Sequence, residues 1–463
     1  MSSFLKTDLQ MLLLLDAAIA DGSVDRPTTF ELFARKLPTY DRYGITGGRP
    51  YGVVAGAWRF ISELEDFAPV GPEDWEFIHK LADAKVINQA TVRWLHDFGG
   101  FRGEIIGYPD GELYFAGSPI LTVSSTYAHA LLVETLALSI YNFDCAIAGA
   151  ASRLRVAAGD KRLVDMGSRR GHDEAAVDAA RAAVIGGFDA SSNMAASAVY
   201  GTPWAGTMAH NWVLHFGGPE DELDAFKAWF RNAGPETTIL VDTYDCYEGM
   251  QKAFEAFGEV FGPDQPYTFK IRIDSGDHMS RIREYMDVRG QYCKTSEGTE
   301  LYFSGDLNYD SIMAIEAHED RAKWVNGYGV GTDLVTGGGS PTCGFVYKMV
   351  ESAGKPVSKR DPAKGYVGGK KNVQRYHLAG LPVAERLYLD DKALPSNETG
   401  FERESIQVWL CKDAPTTFGL FSLADSIALH RKRLEGIENV KYSNRPLLVA
   451  SVDETEFEIK GVI

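Results

Sequence analysis

The chain is short of the features that mark several broad classes of protein. Basic residues are outnumbered: 47 Lys and Arg face 64 Asp and Glu over 463 residues, a formal net charge of −17. Contact with a phosphate backbone needs a basic face, so nucleic acid is not expected as a partner. A small phosphorylated ligand in a local basic pocket remains compatible with that balance. Cysteine is scarce, with five residues at 145, 246, 293, 343 and 411, odd in number and without CxxC spacing. That disfavours a disulfide framework and a structural zinc site, and points to buried thiols in a reducing cytoplasm. Long apolar runs are missing near the start. MLLLLDAAIA, Met11–Ala20, is too short to span a bilayer and is broken by Asp16. Asp8 and Asp21 flank it where a secretory signal would carry basic and small residues. It reads as an amphipathic helix capped near Thr7 or Asp8, and no membrane partner is expected. There is no internal repeat and no low-complexity tract.

What is present is enough apolar residue, 45%, for a sizeable core. Residues 1–150 read as an α+β domain. It has a helix over Leu9–Ala20, a strand in PTTFELFARKLP ended by Pro38, and helices around Trp58–Leu64 and Trp75–Ala84. Strands follow, joined by turns at Pro109-Asp110-Gly111 and Gly117-Ser118-Pro119, then a helical run over Tyr127–Ala157. Residues 151–355 alternate strand and helix. The expected helices are Glu174–Val184, Glu220–Asn232, Tyr247–Val260, Ile282–Val288 and Tyr309–His318. That order implies a parallel sheet and an α/β fold, here an irregular, closed (β/α) barrel. Residues 356–463 are read as a C-terminal segment packing on the N-terminal domain. They open in the Lys- and Gly-rich loop Lys355–Lys371 and hold a last helix, Leu423–Leu434, before a polar tail.

Seven strand-like runs in the barrel region end in polar clusters: RLVDMGSRR, GGFDASSN, TPWAGTMAHN, TTILVDTYD, FKIRIDSGD, ELYFSGDLN and NGYGVGTD. In a barrel such ends gather on one face. His210 ends the third of them, read as a short strand from Thr202. A lone histidine is more often structural or merely solvated than chemical; its six companions favour chemistry. His172 reads as a solvated turn residue, while His215 and His278 fall at the rim. Arg169 and Arg170 suit pyrophosphate, because a guanidinium fork binds oxyanions bidentately, or else form a surface pair. Arg272 shares a strand face with Asp274, so its partner is either a ligand carboxylate or that core acid. Asp242, Asp245, Asp274 and Asp277 suit Mg²⁺ bridged to a polyphosphate, or else cap the following helices. Gly329, Gly331 and the Gly337–Gly339 run lie in late turns whose backbone N–H groups suit phosphate.

Taken together, TFELFARKLP, DMGSRRGHDEAAVDAARAA, GGFDASSN, GTMAHNW, TTILVDTYD, IRIDSGD, FSGDLN and YGVGTDLVTGGGSPTCGFVYKMVE resemble the nicotinate phosphoribosyltransferase family. They run in family order from about Thr7 to Gly369, and the MGSRR and GTDLVTGGGSPT segments look most like its actinobacterial branch. The resemblance implies transfer of phosphoribose from 5-phosphoribosyl 1-pyrophosphate to nicotinate, with Mg²⁺ as cofactor and ATP as co-substrate. It places His210 as a transiently phosphorylated histidine and Arg272 against the pyridine carboxylate. Arg169, Asp242 and Asp274 fall around pyrophosphate and Mg²⁺, with Asp242 and Asp274 as the metal residues. Gly305 and Asp306 fall near the ribose, Gly331 and Thr332 near the 5′-phosphate, and Ser191 and Ser192 near the ring. Arg170, Thr207 and Gly329 are counted with the substrate-binding residues beside them. A homodimer whose sites use both subunits is also implied.

One position departs from the family pattern. The family's Thr-Asp-x-Tyr motif reads Thr7-Asp8-Leu9-Gln10 here, so Gln10 stands where a tyrosine of the partner subunit stacks on the pyridine. Stacking contributes about 0.5–1.5 kcal/mol. Its loss keeps two other readings in play: a nicotinamide or modified-pyridine phosphoribosyltransferase, and an inactive paralogue that binds metabolites.

Overall fold

The computed structural model describes all residues except 1, 38, 41–46, 49–50, 70, 294–297, 319–321, 360–364, 379–380, 391–400, 436–447 and 452–463. Pro38, residues 360–364 of the Lys- and Gly-rich loop and most of the polar tail therefore lie outside the described residues. The chain divides into two units, residues 1–149 with 340–463, and residues 150–339.

In the second unit the strand-like runs pair in parallel, because a helix separates each from the next and returns the chain to the same end. Their order across the sheet is Thr238–Leu240, Lys270–Ile273, Glu300–Phe303, Val325–Val330, Arg162–Asp165 and Ala190–Ser191. Every pairing is parallel. The helices Asp173–Ile185, Glu222–Ala233, Cys246–Phe261, His278–Tyr292 and Tyr309–Glu316 lie between strands much as the periodicity predicts. Two short helices, Met194–Tyr200 and His210–Phe216, were not anticipated.

The main correction concerns closure. The stretch from Thr202 is not a strand: it makes a single bridge, Trp204 to Ser191, and the chain then runs irregularly into the helix at His210. Pro203 has no N–H to donate, so the only ladder-like bonds are Pro203 O accepting from Ser191 N and Ala205 N donating to Ser191 O. Among the described residues the sheet is thus six-stranded and open, not a closed barrel. It still curls, since five of its strands line one cavity of about 300 Å³ together with residues 204–207.

The first unit is built on a six-stranded sheet with Pro27–Ala34 at its centre, flanked by Phe345–Ser352 and Leu121–Thr126. The antiparallel pairing of Phe345–Ser352 with Pro27–Ala34 is why the chain leaves the α/β unit at Gly339, ahead of the expected boundary at 355. Phe30 and Tyr347 stack across that pair at 4.9 Å. The core behind it is aromatic, with Phe4, Phe60, Tyr108, Tyr114 and Tyr141 fully buried. Both turns expected around Gly111 and Gly117 are present, each glycine at positive φ. A third helix, Gln89–Asp97, follows the two anticipated ones. A buried ionic network ties distant parts of this unit together. Arg375 reaches Glu112 and Glu385 at 2.6 Å each, and Arg433, from the helix Leu423–Glu435, reaches Glu112 at 2.7 Å. Among the described residues one run, Tyr127–Ala158, has the length and hydropathy of a membrane span; 67% of its apolar window is buried inside the protein, as in a core helix.

Candidate active site

The polar ends of the parallel strands meet through side chains, and the meeting point is Arg272. On Lys270–Ile273 side chains alternate, so Ile271 and Ile273 are buried while Lys270 and Arg272 line the cavity. The Arg272 guanidinium donates from Nε to Ser304 Oγ at 2.8 Å and from one NH₂ to Thr207 Oγ1 at 2.6 Å. Its other NH₂ donates to Asp274 Oδ1 at 3.0 Å. The two partners expected for Arg272 are thus not exclusive: it pairs with Asp274 and also faces the cavity.

Asp274 in turn reaches the histidine. Its Oδ2 lies 3.8 Å from His210 Nε2, while Oδ1 also accepts from Ser304 Oγ at 2.5 Å. Burial opposes ionisation here, but the Ser304 hydroxyl, Arg272 and His210 outweigh it and hold the carboxyl below its usual range. On the opposite edge of the ring, His210 Nδ1 lies 3.1 Å from Thr243 Oγ1. His210 opens the helix His210–Phe216, and its side chain is 39% exposed.

The four aspartates divide into two pairs. Asp245 and Asp277 cap helices, accepting from Glu248 N at 2.9 Å and Ser280 N at 2.8 Å. Asp242 and Asp274 instead join neighbouring strand ends: Asp242 Oδ2 accepts from Asp274 N at 2.9 Å and from Ser275 Oγ at 2.6 Å. Asp242 Oδ1 is buried and has no hydrogen-bond partner among the described residues. An orphaned carboxylate oxygen is what a cation would satisfy. Asp274 has less to offer a metal, since both its oxygens already face Arg272, Ser304 or His210.

Gly305 has φ of +86°, and a Cβ there would lie 1.9 Å from Asp274 O, so no other residue fits against the neighbouring strand end. Asp306 follows at φ +49° and is exposed. Gly329 lines the cavity, where a Cβ would meet Met166 Sδ at 2.5 Å. Gly331 precedes the four-residue helix Thr332–Val335 and lies against the turn carrying Arg170, with its Cβ position 3.8 Å from Arg170 Cγ. Arg169 and Arg170 are exposed in that turn. Ser191 is buried and donates to Asp165 Oδ2 at 2.7 Å, whereas Ser192 is exposed. Of the other histidines, His172 is 73% exposed beside Asp173, and His278 packs edge-on against Phe303. Sequence reasoning passed over Ser304, which links Arg272 to Asp274. The signal was there: Ser304-Gly305-Asp306 echoes Ser275-Gly276-Asp277 one strand earlier.

Two family models match the chain. The nicotinate phosphoribosyltransferase N-terminal domain covers residues 5–142, and the nicotinate phosphoribosyltransferase family covers residues 161–366. Nicotinate phosphoribosyltransferase pncB1 of Mycobacterium tuberculosis is 46% identical over 391 residues, 83% of this chain and 80% of its own length. Nicotinate phosphoribosyltransferase of Bacillus subtilis is 33% identical over 395 residues, 80% of this chain and 72% of its own. The crystal structure of human nicotinic acid phosphoribosyltransferase superposes with a TM-score of 0.78 at 23% identity, covering 96% of this chain and 97% of its own. At that identity the likeness speaks to the fold.

Proposed function

The chain belongs to the nicotinate phosphoribosyltransferase family, and from that premise we propose that it transfers phosphoribose to nicotinate in an ATP-coupled reaction. The donor is 5-phosphoribosyl 1-pyrophosphate, the products are nicotinate mononucleotide and pyrophosphate, and the step serves the biosynthesis or salvage of NAD. The observation that supports this reading is that Arg272, which lines the cavity, hydrogen-bonds Asp274, whose other oxygen lies 3.8 Å from His210 Nε2. A pyridine carboxylate is a fitting acceptor for that guanidinium, whose planar fork binds carboxylates in defined geometry. His210 is the residue assigned to accept the phosphoryl group of ATP.

Transfer at the ribose anomeric carbon develops positive charge there and negative charge on departing pyrophosphate, so the site must align the reactants and neutralise the leaving group. Arg169 and Arg170, exposed at a strand end, are assigned to that neutralisation. Asp242 would hold Mg²⁺ through its orphaned Oδ1; the ion, when bound, screens the pyrophosphate charge. Gly305 and Asp306 are assigned to the ribose, and Gly331 and Thr332 to the 5′-phosphate. A homodimer with shared sites belongs to the same proposal. It is supported by Met194, Val199 and Trp204, which are 71%, 64% and 73% exposed in the α/β unit. A cytoplasmic location is likewise proposed.

Turnover with 5-phosphoribosyl 1-pyrophosphate and Mg²⁺, run with nicotinate and nicotinamide in parallel and with and without ATP, tests the reading. ATP-stimulated pyrophosphate release with nicotinate is expected; turnover of nicotinamide alone would overturn the substrate assignment.

A further inference from the structure

We propose that the inner end of the cavity is a second anion-binding subsite, so that the site binds pyridine carboxylates carrying a further acid group on the ring edge away from the nitrogen. The inference rests on the reading that Arg272 holds the carboxylate of nicotinate. The cavity does not stop at Arg272. Its lining runs from that residue back to Lys270, Arg162 and Thr238, each the first residue of its strand. Because the strands pair in parallel, their first residues stand at one end of the sheet. The space therefore follows the inner face from the strand ends to the strand starts. At about 300 Å³ it reaches the low end of the range that holds a drug-sized ligand, more than a single pyridine carboxylate fills.

The charge of this space is opposite to that of the chain. Three basic side chains line it, Arg162, Lys270 and Arg272, against one acidic side chain, the exposed Glu236, in a protein of net charge −17. The three cations do not stand alike. Arg272 is engaged by Ser304, Thr207 and Asp274. Lys270 is half-buried, and its ammonium meets no acceptor among the described residues. Glu300, its neighbour in register, accepts instead from the Tyr302 hydroxyl at 2.8 Å. A half-buried ammonium without a counter-ion has lost part of its water and gained nothing in return, and an anion in the cavity supplies the missing partner.

Spacing sets the kind of ligand. Lys270 and Arg272 project from one strand, two residues or about 6.6 Å apart. Tyr302 stands beside Arg272 in register, and its hydroxyl leans back to Glu300, the residue beside Lys270. The tyrosine ring thus covers the wall between the two cations and offers an aromatic surface to the body of a pyridine. The chemistry fixes the sense of the ring. Its nitrogen must face the strand ends, where the residues assigned to ribose and phosphate stand, so the opposite edge faces the strand starts. On that edge the carbon next to the carboxylate is crowded by it; the following one, carbon 5 of nicotinate, is clear. An acid group there is carried toward the end where Lys270 and Arg162 stand.

The test measures competition against nicotinate turnover, read as pyrophosphate release. The two competitors are pyridine-3,5-dicarboxylate and 5-carbamoylnicotinate, which has the same shape without the second charge. In wild type the dicarboxylate should compete about tenfold more tightly than the amide, as one charge-assisted hydrogen bond implies. Lys270→Met keeps the stem, loses the charge and should erase that preference; Lys270→Arg should restore it. Arg162→Gln should weaken the preference by a smaller factor, and it carries the comparison should Lys270→Met lower the melting midpoint. A merely structural role for Lys270 would move both competitors alike and leave their ratio unchanged. Equal competition by the two compounds in wild type would overturn the subsite while leaving nicotinate as the substrate. A preference that survives in both Lys270→Met and Arg162→Gln would likewise overturn it, by placing the second acid group elsewhere. Absence of nicotinate turnover in wild type would overturn the proposed function and this inference with it.

Discussion

Replacing Arg272 with alanine probes the centre of the site. The substitution removes three donors at once, to Ser304, Thr207 and Asp274. Hydrogen bonds to charged groups contribute about 1.5–3 kcal/mol each, so losing the contact to the base carboxylate should raise the KM for nicotinate by about ten- to a hundredfold. The KM for the sugar donor should move far less. Arg272→Lys keeps the charge without the planar fork and should fall between. A second consequence follows from Asp274, whose depressed carboxyl depends on Ser304, Arg272 and His210 against its burial. A group with a depressed folded pKa contributes stability that is fully present above its unfolded value, about 3.9 for Asp. That stability is lost as pH falls through the folded value. Removing Arg272 raises the folded value, so acid unfolding of Arg272→Ala should begin at higher pH than in wild type. Steady-state kinetics over both substrates and melting curves from pH 3 to 7 read the two effects. An unchanged KM for nicotinate in Arg272→Ala would refute the placement of the carboxylate.

The division among the aspartates makes a contrast. Asp245→Ala should cost about 1 kcal/mol of stability through its lost helix cap with no change in Mg²⁺ dependence, whereas Asp242→Ala should raise the Mg²⁺ needed for half-maximal turnover; chemical denaturation and a Mg²⁺ titration check the pair. Gly305→Ala drives a Cβ into Asp274 O at a backbone angle that disfavours side chains, so turnover should collapse along with the melting temperature, and wild-type activity would show that the strand ends can part. In the first unit, burial pushes the His430 imidazole down to about 4. It is therefore neutral when folded and protonated when unfolded between that value and about 6.5. Its stabilisation is complete above about 6.5 and fades as pH falls, by about 2 kcal/mol between pH 6.5 and 5; His430→Gln should flatten that slope in thermal melts.

Much of the α/β unit was legible because its periods are clean. KIRI and ELYF alternate, and helices such as Cys246–Phe261 carry apolar residues at helical spacing behind a capping aspartate, here Asp245. The stretch from Thr202 misled because an apolar pair beside a proline looks strand-like locally. Whether it joins a sheet depends on which N–H groups face the edge strand, and only Trp204 meets its partner. The boundary near 340 was missed for a related reason. The partner of Phe345–Ser352 is Pro27–Ala34, more than 300 residues earlier, and pairing at that distance leaves no local mark.

The sequence by itself determined the kind of chemistry: which residue types stand at strand ends, in what order, and with what overall charge. These are properties of composition and spacing, which the chain carries before it folds. Tertiary structure alone decided how those residues divide their work. Four aspartates with the same surroundings in sequence become two helix caps and two members of the site, according to where each strand ends relative to its neighbour. Arg272 acquires Thr207 and Ser304 as partners from two distant segments, in addition to the Asp274 of its own strand end. Thr243, an ordinary residue in a polar turn, meets His210 only because parallel pairing brings its hydroxyl to one edge of the imidazole and a carboxylate to the other.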